Sequence, residues 1–575
     1  MTLPAGECTL GSQEMLTTLR LWLSACALSL ATQPSWALDN PSFEYPGGGV
    51  AEDVRHTMLK IEGVPGGWVA DQWREPFAPF ECAVDESAAR SGRASVRLSS
   101  DDLWAKMGMS TEAQLPVGRY RVRLWARCQP GGKALLCMRG GDDWLAMREV
   151  GEEWTECECT AVVSEPQVLE VRTEYRSCRS VWIDDASVEA VEAPVFRYVR
   201  DRRPHPPRTL LFSPLAIEDL RRDAAVWAQR GFGGFLLDRI MSDWSSNVWE
   251  ADGEAATVGE ADATFRALEA CNEACAPYGI RNFIKVAFYS ELPLWTDDEG
   301  WARAAENFRQ CAIMARDTGC AGIALDTEYV SKQYNPRWEG YTYQGYTEEE
   351  LRRAAGQRGR QIVEVMLSEY SEFEFLLLPE GPFWYGPLHD DLFRGLLGAM
   401  VEADAPGGLH LLAENSYSMR DYEALVELGD SLGRMVKWGQ PEAVLRYWER
   451  RCSVALEGYP LGYYRKIVDA EGKMVGYGGR KEIFDDEVVG STADRGPRFP
   501  LEDFRQMMAG LSAGSGRYNW IYAHGATWWP TEGELEVEGK TPREVEQARA
   551  RRAVANLEEY YAIVRDHYLM AADEG

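Results

Sequence analysis

The sequence predicts a multidomain chain: an all-β sandwich over residues 38–192, then an α/β TIM (β/α)8 barrel over residues 209–575. Three observations carry this. Residues 38–192 hold short alternating runs punctuated by Gly, Pro and Asp, with no helical period. Beyond residue 209, eight strand-like runs alternate with helical patterns, the succession that closes a parallel barrel. Between them, the Pro- and Arg-rich segment 193–208 reads as an extended, semi-rigid spacer. Its arginines are expected in solvent or on acidic neighbours.

The first residues read as an address. Met15-Leu-Thr-Thr-Leu-Arg20 leads into the apolar run Leu21 to Ala31, and Ser35-Trp36-Ala37 offers small residues where a signal peptidase reads. The run is too short to span a bilayer. Residues 1–37 are expected to leave as a secretory signal starting at Met15, with residues 1–14 upstream of the true start; a buried N-terminal helix is the alternative. The mature chain is then secreted or periplasmic. No later stretch reaches about 18 uninterrupted apolar residues, so no membrane partner is expected after signal removal.

Within the sandwich, the alternating runs are Ala94-Ser-Val-Arg-Leu98, Tyr120-Arg-Val-Arg-Leu-Trp-Ala-Arg-Cys128, Trp154-Thr-Glu-Cys-Glu-Cys159 and Val181-Trp-Ile-Asp-Asp-Ala-Ser-Val188. In the second, Tyr120, Val122, Leu124 and Ala126 share one face, and Arg121, Arg123, Trp125 and Arg127 the other. Trp125 therefore belongs to a polar face. Of 13 cysteines, Cys8 and Cys26 leave with the leader; the rest are odd in number and show no zinc spacing, so most are expected as buried apolar residues.

The chain carries 61 Lys+Arg against 91 Asp+Glu, a net charge of −30, which argues against a nucleic-acid partner. Its 21 Trp and 25 Tyr suit ligands with flat C–H faces, sugars above all.

Asn40-Pro-Ser-Phe-Glu44, Gly67-Trp68, Ser91-Gly-Arg-Ala-Ser95, Leu115-Pro-Val-Gly-Arg-Tyr120 and Val181 to Val188 fall in an order that resembles jelly-roll carbohydrate-binding modules. The resemblance implies a jelly roll of the type appended to secreted polysaccharide hydrolases, serving as sugar binder or spacer. Trp68, Trp73, Trp104, Trp125 and Trp144 are the candidate platforms. It also admits a structural calcium, for which no ligand set is evident in the sequence.

The barrel strands are expected at 209–213, 232–238, 281–289, 322–328, 373–380, 409–414, 453–457 and 518–524. A doubly wound sheet is the alternative, but no Gly-x-Gly-x-x-Gly follows the first strand. Barrel sites form at the C-terminal ends of strands, which here carry Asp238, Asp326, Glu328, Glu380, Glu414, Glu457 and His524. Alternation places Asp326 and Glu328 with Gly322 and Ala324 on one face, and Ile323 and Leu325 on the other. The acids therefore face the axis, as do Glu457 with Ser453 and Ala455, and Asp238 with Gly234 and Leu236. Lys285 is expected to face inward and pair with Asp238 or Asp326. Loop aromatics including Tyr329, Trp384, Tyr459 and Trp528 cluster just after strands.

Paired acids in an aromatic mouth suit glycoside hydrolysis, in which one carboxyl protonates the leaving oxygen and another attacks the anomeric carbon or activates water. The barrel resembles (β/α)8 glycoside hydrolases. An acid after strand four and a Glu after strand seven is the layout of the large retaining clan containing many cellulases and mannanases; that resemblance implies Glu328 as acid/base and Glu457 as nucleophile. Thr327 departs from it, standing where the clan has Asn. Asp326-x-Glu328 also resembles the chitinase-type signature, although Ala321 and Ala324 replace its further aspartates. An α-galactosidase-like layout would instead make Asp326 the nucleophile and Glu414 the acid. Asp238, Lys285, Tyr329, Glu380, Trp384, Glu414, Tyr459, His524 and Trp528 are candidate substrate contacts.

No cofactor is needed for this chemistry, and no metal site is expected: six His are too few at strand ends for an amidohydrolase-type centre. No Gly-x-Ser-x-Gly elbow is present; Ala513-Gly-Ser-Gly516 is the nearest approach. The expected partner is a polysaccharide or oligosaccharide. A polysaccharide-binding barrel without turnover, and an exported scaffold, are the competing readings.

Overall fold

The computed structural model describes residues 68–72, 80–111, 114–140, 144–163, 166–213, 216–238, 262–288, 292–328, 333–335, 345–379, 386–417, 419–461, 465–468, 474–478, 499–523 and 557–572, with Ile240, Trp249, Gly259 and Trp528. The leader read over residues 1–37 lies outside them, as do Asn40, Phe43, Gly67 and Trp73.

The N-terminal part holds two five-stranded antiparallel sheets. One orders β1 (Trp68–Gln72), β4 (Met107–Thr111), β9 (Glu170–Arg176), β6 (Ala134–Gly140) and β7 (Trp144–Val150). The other orders β2 (Glu81–Asp85), β3 (Ser95–Ser99), β10 (Ser180–Ala190), β5 (Gly118–Cys128) and β8 (Thr155–Val163). Their inner faces share one core: Tyr120, Val122, Leu124 and Ala126 of β5 meet Leu136, Met138 and Val171 across it. Arg121 and Arg123 turn outward with Trp125, the alternation expected of this strand. The cysteines from Cys82 onward are free thiols, all buried except the half-buried Cys452. Burial pushes the thiols of Cys82 and Cys157 up to about 12, which suits inert core residues.

Segment 193–208 is extended but not free. Its strand β11 (Phe196–Arg200) pairs antiparallel with β22 (Tyr568–Ala572), the last described element of the chain. Before it stands the helix α10 (Leu557–Asp566), after which His567, at φ 44, turns the chain into β22. Tyr198 and Tyr568 pack edge to face at 5.9 Å, with the Arg505 guanidinium beside both rings.

The C-terminal part is a closed barrel of eight parallel strands in chain order. They are β12 (Arg208–Phe212), β13 (Phe232–Leu237), β14 (Arg281–Ala287), β15 (Gly322–Asp326), β16 (Glu374–Leu378), β17 (Leu409–Ala413), β18 (Ser453–Gly458) and β21 (Tyr518–Tyr522). Each lies within the segment or a residue or two of the bounds expected for it. The intervening helices are α1 (Ile217–Arg222), α2 (Ala224–Gln229), α3 (Ala263–Cys275), α4 (Asp298–Asp317), α5 (Glu348–Glu369), α6 (Pro387–Glu402), α7 (Tyr422–Lys437), α8 (Glu442–Arg451) and α9 (Leu501–Gly514). A hairpin of β19 (Arg465–Val468) and β20 (Met474–Gly478) precedes α9. Helices α7 and α8 are separated by Gly439 at φ 64 and by Pro441, which caps α8.

Leu210, Leu236, Phe283, Ala324, Leu376, Leu412, Ala455 and Trp520 fill the barrel interior, while Ile323, Leu325, Val454 and Leu456 join the larger core beneath the helices. Small residues are required where strands cross closely: a Cβ on Gly322 would stand 1.9 Å from the Glu374 carbonyl oxygen. The strand starts are closed by a polar plug. Glu374 takes Arg281 at 2.6 Å, with Arg517 and the Tyr518 hydroxyl also on it. Beside it, His410 lies 2.9 Å from Ser453 Oγ, and burial drives its pKa down to about 3.

The β1-β4-β9-β6-β7 sheet docks its outer face on the barrel helices. Leu135, Cys137, Leu145, Met147 and Tyr175 belong to the same apolar core as α6 and α7. Arg148 grips Glu427 of α7 through two bonds of 2.6 and 2.9 Å, and the Met147 amide donates to Ser431 Oγ at 2.9 Å. Tyr175 stacks 6.2 Å from Trp438 and donates to Asp390 of α6 at 3.2 Å. The charged side chains of that sheet face, Lys106, Arg139, Glu170, Arg172 and Glu174, are buried and paired with one another.

Candidate active site

The barrel mouth is built from the ends of its strands. Asp326 is the last residue of β15, and on neighbouring β14 Lys285 pairs with Ala324 in register, so its side chain rises toward Asp326. Lys285 Nζ lies 2.9 Å from Asp326 Oδ2, with 1% and 4% of the two side chains exposed. Two charges withdrawn this far from water persist only as a pair. Lys285 Nζ also sits 5.2 Å from the Phe212 ring. Alternation thus put Lys285 and Asp326 on the correct face. Asp238 follows Leu237, which pairs with Ile284, so the half-buried Asp238 stands beside Lys285 on the other side.

The end of β15 is braced from outside. Asp326 Oδ1 accepts from the Glu328 amide at 3.1 Å. Thr327 points away from the axis, and its hydroxyl lies 2.9 Å from the Leu378 carbonyl and 3.0 Å from His389 Nε2. The carbonyl takes the single hydroxyl proton, so Nε2 must be the donor to Thr327. Tyr334 packs 4.7 Å from the His389 ring; burial, then the Asp326 charge, hold its hydroxyl well above the ordinary range. Glu328, next in the chain, is half-buried at the rim.

Across the mouth, Ala413 pairs with Leu456, so Glu414 and Glu457 occupy the next, neighbouring positions on β17 and β18. Glu457 is fully buried, its amide donates to Ser416 Oγ at 2.8 Å, and it pairs in register with Trp520 of β21. Glu414 is half-buried.

An aromatic wall joins these strands. Tyr459 and Tyr522 lie 5.1 Å apart, Tyr417 packs 5.9 Å from Tyr459 and 5.8 Å from Tyr522, and Phe212 stands 5.3 Å from Tyr522 and 6.5 Å from Trp520. Among the described residues, Trp520 Nε1, Asn415 Oδ1 and Ser213 Oγ are buried without a hydrogen-bond partner. Such groups are costly unless a ligand or water answers them.

Tyr459 is thus part of the mouth. Trp528 is not: fully buried, it packs edge to face on Phe232 at 5.4 Å and against Phe504, Tyr560 and Tyr561, in the shell outside the strands. Its place just after a strand misled, because a residue there can fold back over the helices. Tyr329, Glu380, Trp384 and His524 lie outside the described residues. Phe212, Tyr417, Trp520 and Tyr522 were not singled out from sequence, although alternation along the last strand puts Trp520 and Tyr522 on one face. Among the described residues, no group of three or more His, Cys, Asp or Glu converges as a metal site.

No protein-family model matches the sequence, and neither does any curated protein. Among solved structures, the CBM22-1–GH10 modules of Clostridium thermocellum endo-1,4-beta-D-xylanase 10B, complexed with xylohexaose, align over 79% of this chain and 88% of their own, at 9% identity and a TM-score of 0.30. The CBM22-1 xylan-binding domain of Paenibacillus barcinonensis Xyn10C aligns over 28% of this chain and 99% of its own, at 16% identity and a TM-score of 0.21. A cyclase from Fischerella sp. TAU gives the same 28%, 16% and 0.21, over 100% of its own chain. Likenesses this distant assign no activity; the chemistry rests on the mouth itself.

Proposed function

We propose that this chain is a glycoside hydrolase acting outside the cytoplasm, with a jelly-roll-type sandwich mounted on a (β/α)8 catalytic barrel. One observation carries the reading: Asp238, Asp326, Glu328, Glu414 and Glu457 stand at the ends of β13, β15, β17 and β18 around one aromatic-walled mouth, with Lys285 buried among them. Acids gathered in a desolvated cleft are costly to hold, and glycosidic cleavage uses them. The aromatic wall supplies faces on which sugar rings stack, and Trp520 Nε1 and Asn415 Oδ1 offer a donor and an acceptor to hydroxyls.

In this reading Glu328 is the proton donor. At the rim it reaches both a leaving oxygen and the solvent that restores its proton. Glu457, three strands round the barrel, attacks the anomeric carbon or activates water. Lys285 fixes Asp326, whose other oxygen holds the Glu328 amide, so the ion pair positions the donor. A second reading is favoured by the same Lys285–Asp326 contact: a carboxylate held against an ammonium suits a nucleophile, with Glu414 as the acid.

The reading is tested by incubating the protein with a panel of plant, algal and microbial polysaccharides and measuring released reducing ends. Release that disappears in Glu328→Gln supports the first assignment. Release that survives there but disappears in both Asp326→Asn and Glu414→Gln selects the second. Glycan binding without release by the wild type would favour a non-catalytic binding barrel.

A further inference from the structure

The sandwich has one broad face left open. While the β1-β4-β9-β6-β7 sheet is committed to the barrel, β2-β3-β10-β5-β8 turns outward, with Arg121, Glu156 and Glu158 exposed on it. The register across this sheet sets Arg97 of β3 opposite Trp182 of β10, and Trp182 opposite Arg127 of β5. The Arg127 guanidinium lies 5.4 Å from the Trp182 ring and 5.8 Å from that of Trp154, which precedes β8. Trp182 is itself fixed, its Nε1 donating to Asp85 at 2.9 Å. All three side chains of the sandwich, Arg127 between two indoles, are half-exposed.

The arginines of this face differ in one respect. Arg90 pairs with Asp185, Arg97 with Glu81 and Asp85, and Arg121 and Arg123 with Glu158. Arg127 makes no ion pair or hydrogen bond among the described residues, and its Nε is buried without a partner. Contact with two indole faces offsets part of that cost. It leaves the planar donor edge unanswered, and that edge matches a carboxylate.

We propose that Arg127, Trp154 and Trp182 bind a uronic-acid residue of a polysaccharide, the guanidinium taking the carboxylate and the outer edges of the indoles bounding the sugar ring. The net charge of −30 disfavours a dense polyanion, whereas a glycan with isolated carboxylates meets Arg127 within the screening length of about 8 Å at physiological ionic strength. The occupant is therefore a mainly neutral polysaccharide bearing scattered uronic acids. This site does not depend on the chemistry of the barrel.

The test is affinity electrophoresis of the full chain in uronate-bearing polysaccharides and in the same polymers after carboxyl reduction. Binding to the acidic form is expected to be at least about tenfold tighter than to the reduced form, a difference of about 1.4 kcal/mol. Arg127→Gln should bring the two together, and Arg127→Lys should fall between. Absence of binding, equal binding to both forms, or an unchanged preference in Arg127→Gln would overturn the site. If Arg127→Gln fails to fold, competition with free glucuronate and galacturonate on the wild type decides: the site requires that one of them displace the polymer, and competition by neither removes it.

Discussion

Lys285 Nζ stands 2.9 Å from Asp326 Oδ2 inside the barrel, and almost nothing of either side chain reaches solvent. Removing one partner leaves the other charged and buried. Lys285→Met is expected to cost about 3–5 kcal/mol, read as a lower midpoint in urea unfolding. The double variant Lys285→Met with Asp326→Leu should recover much of that loss, since an apolar pair of similar volume is often neutral or better. A Lys285→Met protein as stable as the wild type would show that the two charges are not a buried pair.

Thr327 sits between Asp326 and Glu328, just past β15, and ties that strand end to Leu378 and His389. Thr327→Val keeps the shape but removes the hydroxyl that meets the Leu378 carbonyl and His389 Nε2. A loss of about 1–3 kcal/mol is expected, with Thr327→Ser much closer to wild type. Thermal unfolding of both variants checks this; equal stability would mean the hydroxyl does not brace the strand.

The docking of the sandwich is expected to weaken in acid. Burial pushes the Glu427 carboxyl up, but the hydrogen bonds and charge of Arg148, with Arg434, outweigh it and hold its pKa below the ordinary 4.5. A depressed carboxyl contributes stability that is fully present above 4.5 and is lost as pH falls through the folded value. Wild-type stability should therefore decline below pH 4.5 partly through this contact. Arg148→Gln should flatten that part of the decline, and urea midpoints measured from pH 6 to pH 3 for both proteins test it.

Much of this fold was legible because period and composition agreed. In Gly322 to Asp326 the small residues and the acid fell on one face and Ile323 and Leu325 on the other, so the strand and its inward side followed together. Lys285 was placed by the same alternation, and its choice of Asp326 over Asp238 needed three dimensions. The β11–β22 clasp was hidden because two short strands some 370 residues apart have no local signal of pairing. Trp528 and Trp520 show the limit for the site: both are tryptophans of the last strand region, yet one packs behind the barrel and the other inside it. Trp125 could be set on a polar face by alternation, whereas the lack of an ion pair on Arg127 among the described residues depends on which neighbours its cross-strand partners choose.

The most direct test of the central claim compares wild type with Glu457→Gln on the best polysaccharide substrate, following reducing-end release and equilibrium binding together. The side chains are nearly equal in size, and Glu457 lies beside the aromatic wall proposed to hold the sugar. Release is expected to fall by at least about 1,000-fold, some 4 kcal/mol in the barrier, with binding changed by no more than a few-fold. Turnover by Glu457→Gln at the wild-type rate would contradict the assignment of this buried carboxyl to the chemistry.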